Sequence, residues 1–364
     1  MVDERSEGEA QVIVDYYPSA SVFIDLTIRP CVSVDFVKYW SSRASPDFRY
    51  DKILLGYNYQ GQLAPRKAYD IRPDVSIMGD SGGYQMATQG KIFEPVGVLK
   101  WLEEYCDIGF TLDLPTWKFR KSTFEKTLES TIKHVEVFAR NRNHDSKCKI
   151  LNIIHGGTPQ EVDTWLKAVA PYSDQFDGLA TSNSFADYPA IIYRIGKLLE
   201  QGAPRVHLFA MGGFETMGTV FYLARKFPKV KFSTDSSTWS QIARYREMLL
   251  FDSRVSFGTK KDGIPDVTEM PCECPICSKT DVSSVYSKTE YGSVIIAAHN
   301  LYQFLTRFKM LNALSQDERL LSQFLKNSGA LSNSWFSAAQ YFVENGLEAY
   351  TKKFVSGTST EEFV

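Results

Sequence analysis

Short apolar runs, each closed by a polar residue or a glycine turn, recur along this chain at 22–26, 53–57, 75–80, 109–113, 150–155, 176–180, 206–211 and 230–235. Runs of this length bounded by turn residues read as strands. Between most of them lie segments with apolar residues three and four apart, at 95–104, 122–139, 159–169, 191–201 and 216–227, which is helical spacing. Strand, helix, strand at this pitch predicts parallel pairing through crossover helices, hence an α/β protein. Eight such units predict a (β/α)8 TIM barrel, with an open doubly wound sheet as the competing architecture. After Asp235 the rhythm changes to a cysteine-bearing segment, followed by helices at 294–314 and 317–350 that are apolar on one face. The expected division is a disordered start at 1–15, a barrel over 16–260, a zinc-binding segment with C-terminal helices packed on the barrel over 261–354, and a flexible tail at 355–364.

Composition narrows the class. The chain has 364 residues, 43% of them hydrophobic and 13% aromatic, a globular composition long enough for one barrel with an appendage. A net charge of -2 and a pI near 6.3 exclude a generally basic nucleic-acid coat, so any polymer contact must come from local patches. No run of about 18 apolar residues is present, and the first ten residues are acidic and polar, which predicts a cytoplasmic protein without membrane contact.

Cys272, Cys274 and Cys277, followed by His299, are three thiols and an imidazole at a spacing that can close a tetrahedral zinc shell. Four protein ligands leave no position for substrate, so such an ion is structural. A disulfide framework suits short secreted chains and does not suit this one. Cys31, Cys106 and Cys148 are scattered and read as small buried hydrophobes.

Three predicted strands end in aspartate: Asp80, Asp113 and Asp235. The C-terminal ends of barrel strands share one rim, where one ligand can meet all three carboxylates. One strand-end aspartate alone reads as a helix cap. Three together, beside glycine-rich turns, point to a site. Asp80, Ser81, Gly82, Gly83, Tyr84 and Gln85 form one such turn, in which glycines let backbone approach a flat ligand and Tyr84 offers a ring to stack on it. His155-Gly156-Gly157 and Met211-Gly212-Gly213 repeat the device. A plain tight turn explains the glycines equally well.

These segments, together with 176–180, the stretch from Asp235 to Trp239, the cysteine cluster and the Ala298 to Tyr302 stretch, resemble the tRNA-guanine transglycosylases in order and approximate spacing. The resemblance covers about 75–310. It implies a zinc-bearing barrel that removes guanine from a polynucleotide and inserts a 7-deazaguanine base at the same sugar. By resemblance Asp235 is the nucleophile, Asp80 the general acid/base, and Asp113 the carboxylate that grips the base. The chemistry agrees with those residue types, since exchange with retention needs a carboxylate to attack C1′ and a second group to manage the proton. Ser81, Gly82, Tyr84, His155, Gly157, Gly178, Met211 and Gly212 complete the implied base pocket, with His155 standing where bacterial members carry glutamine. The resemblance also implies a homodimer.

The stacked nucleotide must be flipped or looped out to reach such a site. Lys118, Arg120 and Lys121 on the rim, and Arg244, Arg246, Lys260 and Lys261 after the nucleophile, are candidate phosphate contacts, although solvated charge explains single residues among them. Two departures concern the polymer. The stretch after Asp235 lacks the Thr-Arg-Asn-Ala-Arg-like element of bacterial members, and the chain ends soon after His299, where archaeal members continue into further domains. On that ground the expectation leans to DNA, with the same exchange on tRNA as the alternative and a non-catalytic partner subunit as an alternative of another class. A metal-dependent hydrolase would need histidine pairs at strand ends, and the five histidines do not form them.

Overall fold

A computed structural model describes residues 12–20, 23, 35–57, 64–115, 123–182, 188–213, 215–251, 253–258, 267–286 and 290–355. Eight strands, β1 (Val14–Pro18), β2 (Lys52–Gly56), β3 (Ser76–Asp80), β4 (Ile108–Phe110), β5 (Lys149–Ile154), β6 (Gly178–Ser182), β7 (Arg205–Phe209) and β8 (Lys231–Ser236), form one parallel sheet in the order β1-β8-β7-β6-β5-β4-β3-β2. The free edges meet where Ser19 bridges Leu54 in parallel and the Ala20 amide donates to the Leu54 carbonyl at 3.1 Å, which nearly closes the barrel. The competing open sheet is thereby excluded.

Seven strands fall where the apolar runs place them. The first does not: β1 is Val14–Pro18, and of 22–26 only Phe23 is among the described residues. The sequence VDYYP lacks the aliphatic run of the others because Tyr16 packs outward against Phe308 (5.6 Å between centroids) while Tyr17 points into the barrel. Val14 and Asp15, assigned to the disordered start, therefore lie in a strand.

Helices α1 (Pro65–Ala68), α2 (Gly83–Gln89), α3 (Pro95–Tyr105), α4 (Phe124–Asn141), α5 (Pro159–Val169), α6 (Tyr188–Glu200), α7 (Met217–Lys226) and α8 (Thr238–Arg244) alternate with or follow the strands. The start of α5 is written locally: Thr158 and Glu161 form a reciprocal capping box and Pro159 opens the first turn. A hairpin, β9 (Glu247–Leu249) with β10 (Arg254–Ser256), and helices α9 (Val282–Tyr286), α10 (Glu290–Leu314), α11 (Glu318–Asn327) and α12 (Ala330–Tyr350) follow. The expected helix at 317–350 is broken between α11 and α12 at Gly329, φ +99°, and again by a kink within α12 at Gly346, φ +79°, conformations glycine adopts at no steric cost. No helix among the described residues is long and apolar enough to cross a membrane.

Two cores result. Tyr17, Leu54, Met78, Ile108, Phe110, Leu151, Ile153 and Ala180 fill the barrel interior, so the site can lie only at an end. The outer core joins strands to helices and continues under the C-terminal helices, where Tyr222 of α7 meets Phe336 of α12 edge-on at 5.0 Å and Phe221 meets Phe308 of α10 at 5.2 Å. Helix α7 is accordingly buried nearly all round, from Met217 to Ala224.

Candidate active site

Strand alternation carries Asp80 and Asp235 to the carboxyl end of the barrel. Met78 is an interior residue of β3, so Asp80, two positions on, points the same way. On β8, Ser233 bonds the interior His207, and Asp235 lies two positions beyond it. Asp113 follows β4 by three residues. The three carboxylates share one neighbourhood: the negative charges of both Asp113 and Asp235 act on Asp80. Burial, more than either charge, pushes the Asp80 carboxyl up to about 7, against the opposing pull of the Gly82 amide, which donates to Oδ1 at 3.2 Å. A carboxylic acid that holds a proton near neutral pH beside an ionised partner is the arrangement of an acid and a nucleophile.

Asp113 is fixed by His155, whose Nε2 donates to Oδ2 at 2.6 Å. The imidazole is 4% exposed and lies edge-on to Trp165 at 5.1 Å, whose own Nε1 donates to the Ile153 carbonyl at 3.0 Å. His155 is thus turned toward Asp113 and away from solvent. The Oδ1 atom of Asp113 has no hydrogen-bond partner among the described residues.

The glycine turns have structural duties of their own. Gly82 takes φ +88°, and a Cβ on Gly83 would stand 2.0 Å from the Asp113 carbonyl oxygen and 2.6 Å from its Oδ1. The pair therefore lets the β3 turn pack directly against the Asp113 loop. Ser81 is fully buried, while Tyr84, in the first turn of α2, is 55% exposed. The Gly157 amide donates to Glu161 Oε2 at 2.7 Å as part of the α5 cap.

Asp235 is held by the turn after the neighbouring strand β7. Its Oδ1 accepts from the Ala210 amide at 2.8 Å, and its backbone carbonyl accepts from the Gly212 amide at 2.9 Å. Ala210 adopts φ +60°, a left-handed conformation uncommon for a residue with a Cβ, and so aims its N–H at the carboxylate.

Cys272, Cys274, Cys277 and His299 bring their donor atoms within 4.8 Å of one another. The Cys272 and Cys277 sulfurs are 3.7 Å apart, and Nδ1 of His299 lies 3.1–3.6 Å from all three sulfurs. A tetrahedron with metal–sulfur bonds of about 2.3 Å has edges of roughly 3.8 Å, so the set fits a closed four-coordinate shell. His299 Nε2 donates to the Leu249 carbonyl at 2.6 Å, which turns Nδ1 toward the sulfurs. Next in sequence, the fully buried Asn300 accepts from the Leu249 amide at 2.7 Å and donates to the carbonyls of Trp239 (3.1 Å) and Glu247 (3.0 Å). Two consecutive residues of α10 thereby join the metal-binding group to α8, the helix that starts three residues after Asp235.

No protein-family model matches the chain. Sequence comparison finds tRNA-guanine(15) transglycosylases from Saccharolobus solfataricus (26% identical over 296 residues, 77% of this chain and 56% of that protein) and Korarchaeum cryptofilum (24% over 280 residues, 72% and 44%). A third, from Sulfolobus acidocaldarius, is 26% identical over 276 residues, 72% of this chain and 52% of that protein. The chain is similar to the tRNA-guanine transglycosylases over most of its length. It spans about half the length of the curated relatives it matches.

Within the barrel several expected pocket residues sit elsewhere. Gly178 opens β6 opposite Leu151, four residues and about 13 Å of strand below the rim, and a Cβ there would meet the Arg205 carbonyl at 2.4 Å. The rim of β6 is made by Thr181 and Ser182, with Ser182 level with Phe209 of β7. Met211 is 1% exposed with its side chain in the outer core, and the rim positions of that turn are Phe209 and Ala210. A count of positions forward from the last paired strand residue identifies both sets, which a search for glycines passes over. Gly212 meets Tyr16 and the Asp235 backbone. Among the basic candidates, Arg244 is exposed, whereas Arg246 donates to the Val285 carbonyl from a backbone at φ +62° and serves the zinc-side segment. Lys118, Arg120, Lys121, Lys260 and Lys261 lie outside the described residues, as does Cys31, while Cys106 and Cys148 are buried thiols.

Proposed function

We propose that this protein exchanges a guanine in tRNA for a 7-deazaguanine base by double displacement at C1′. The observation that carries the reading is the split between two rim carboxylates, Asp80 holding a proton to about pH 7 and Asp235 held through Oδ1 by a backbone N–H. Asp235 forms a bond to C1′ as the glycosidic C1′–N9 bond breaks, and the electron pair leaves with guanine, which takes its proton from Asp80. The Asp80 carboxylate then accepts the N9 proton of the entering base, whose nitrogen attacks C1′ and expels Asp235. Two inversions give retention, and no ATP is consumed. Asp113, aimed by His155, accepts from the N1–H and exocyclic amine of the base through its unpartnered Oδ1, and Tyr84 stacks on the ring.

The metal assigned to Cys272, Cys274, Cys277 and His299 is one structural Zn2+, on the thiolate-rich donor set and the 3.7 Å sulfur–sulfur edge. The polymer is assigned as tRNA on the activity for which the relatives are named. DNA rested on elements missing from the sequence, and nothing in the relatives favours it. The homodimer belongs to the same proposal.

The test is incorporation of radiolabelled guanine into unfractionated tRNA and, separately, into double-stranded DNA, with Asp235→Asn as control. Label in tRNA from the wild type alone supports the reading. Label in DNA alone moves the polymer assignment, and no label in either from folded, zinc-loaded protein overturns the enzymatic reading in favour of a partner subunit.

A further inference from the structure

Below the three carboxylates, inside the barrel, lies a titratable residue that the chemistry above does not use. His207 is fully buried, its ring wedged between Phe110 (4.8 Å between centroids) and Phe209 (4.5 Å). Nδ1 is paired with Ser233 Oγ at 2.9 Å. Nε2 is buried with no hydrogen-bond partner among the described residues and stands 3.4 Å from Asp235 Oδ1. An imidazole in a barrel interior of Tyr17, Leu54, Met78, Ile108 and Phe110 is costly to desolvate and contributes nothing to packing that a phenyl ring would not. Its polar edge faces one group, the carboxylate of Asp235.

We infer that His207 is a positioning residue for the nucleophile, an inference that rests on the reading above that Asp235 attacks C1′. In this role the Ser233 hydroxyl donates to Nδ1 and the ring proton sits on Nε2, the edge that faces Asp235. Nε2–H and the Ala210 amide then converge on one oxygen of Asp235, Oδ1. Oδ2 has no partner among the described residues and is the oxygen that attacks. At 3.4 Å the contact is long for a hydrogen bond, and contacts of this kind tighten when substrate loads the carboxylate.

The arrangement matters most in the second half of the reaction. In the covalent intermediate Oδ2 is esterified to C1′ and Oδ1 is a carbonyl oxygen. When the entering base attacks C1′, the C1′–Oδ2 bond breaks and its electron pair returns to the carboxylate. Negative charge redevelops there, where His207 and Ala210 already present donors. Loss of one donor leaves a poorer leaving group, so the intermediate persists.

His207→Phe keeps a ring between Phe110 and Phe209 and removes the donor. In guanine exchange with unfractionated tRNA it is expected to lower kcat roughly tenfold to a hundredfold with KM for tRNA unchanged. The fraction of enzyme trapped as covalent adduct on rapid denaturation should rise above wild type. His207→Gln, with an amide donor at similar reach, should restore part of kcat and return the adduct fraction toward wild type. Ser233→Ala removes the hydroxyl that sets the tautomer and should shift both readouts the same way by less, which keeps the inference testable where His207→Phe does not fold. A merely structural histidine would lower the folded fraction without changing the ratio of adduct to turnover. Wild-type kcat and adduct fraction in His207→Phe and Ser233→Ala would overturn the inference and leave the transglycosylase reading intact, whereas no exchange by the wild type would overturn that reading itself.

Discussion

His155 Nε2 and Asp113 Oδ2 are 2.6 Å apart, and on the proposed reading this contact turns a histidine that the family resemblance places in the base pocket into the group that aims the carboxylate gripping the base. With Oδ2 taken, Asp113 offers Oδ1 to the base in a fixed direction. His155→Phe is expected to raise KM for guanine about tenfold with a much smaller change in kcat, the loss of one hydrogen bond to a charged group. His155→Gln should recover most of the affinity. A variant whose KM is unchanged would mean that Asp113 is held by other contacts.

The raised Asp80 carboxyl fixes the sign of the pH dependence. Exchange needs this group protonated when guanine leaves, so kcat should fall as pH rises through about 7. Stability follows the same proton. The folded state holds it from below pH 4 up to about 7 while the unfolded chain has already released it, so stability falls with rising pH across that window. Asp80→Asn should abolish exchange, raise the melting midpoint by a few degrees at pH 8, and leave it unchanged below about pH 4. A midpoint difference that does not vary with pH would remove the case for a buried proton.

On the proposed reading, metal removal should act on Asp235 through the His299 and Asn300 pair. Elemental analysis is expected to give one zinc per chain. Prolonged chelation, or Cys274→Ala, should lower the melting midpoint by on the order of 10 °C and abolish exchange in parallel. Asn300→Ala, with zinc retained, should reduce exchange as well, because the carbonyls of Trp239 and Glu247 and the amide of Leu249 lose their shared partner. Full activity in zinc-free protein would refute the link.

Gly212 tolerates no side chain. A Cβ there would stand 2.5 Å from the Tyr16 ring and 2.8 Å from the Asp235 carbonyl oxygen. Gly212→Ala should cost about 1–3 kcal/mol in denaturant unfolding and, on the proposed reading, lower kcat more than KM, since the strand that yields carries Asp235. A variant equal to wild type in both would show that β1 can give way instead.

Period and spacing in the sequence determined most of the architecture. Seven of the barrel strands, five of its helices and the Cys3His ligand set were legible because each rests on local signals: short apolar runs, a three- and four-residue repeat, a thiol spacing. The three aspartates were legible for the same reason, since each closes an apolar run. What only tertiary structure decided is how residues far apart in sequence meet. The VDYYP strand is hidden because Tyr16 finds its partner in α10, nearly three hundred residues away. Gly178 reads like a pocket glycine, yet pairing opposite Leu151 sets it four residues below the rim and raises Ser182 in its place. His207 looks like any core residue of a strand until β7 and β8 pair in register and bring it under Asp235. Local pattern says which face a side chain takes; strand register sets its height on the barrel, and register is fixed by contacts that no window of sequence contains.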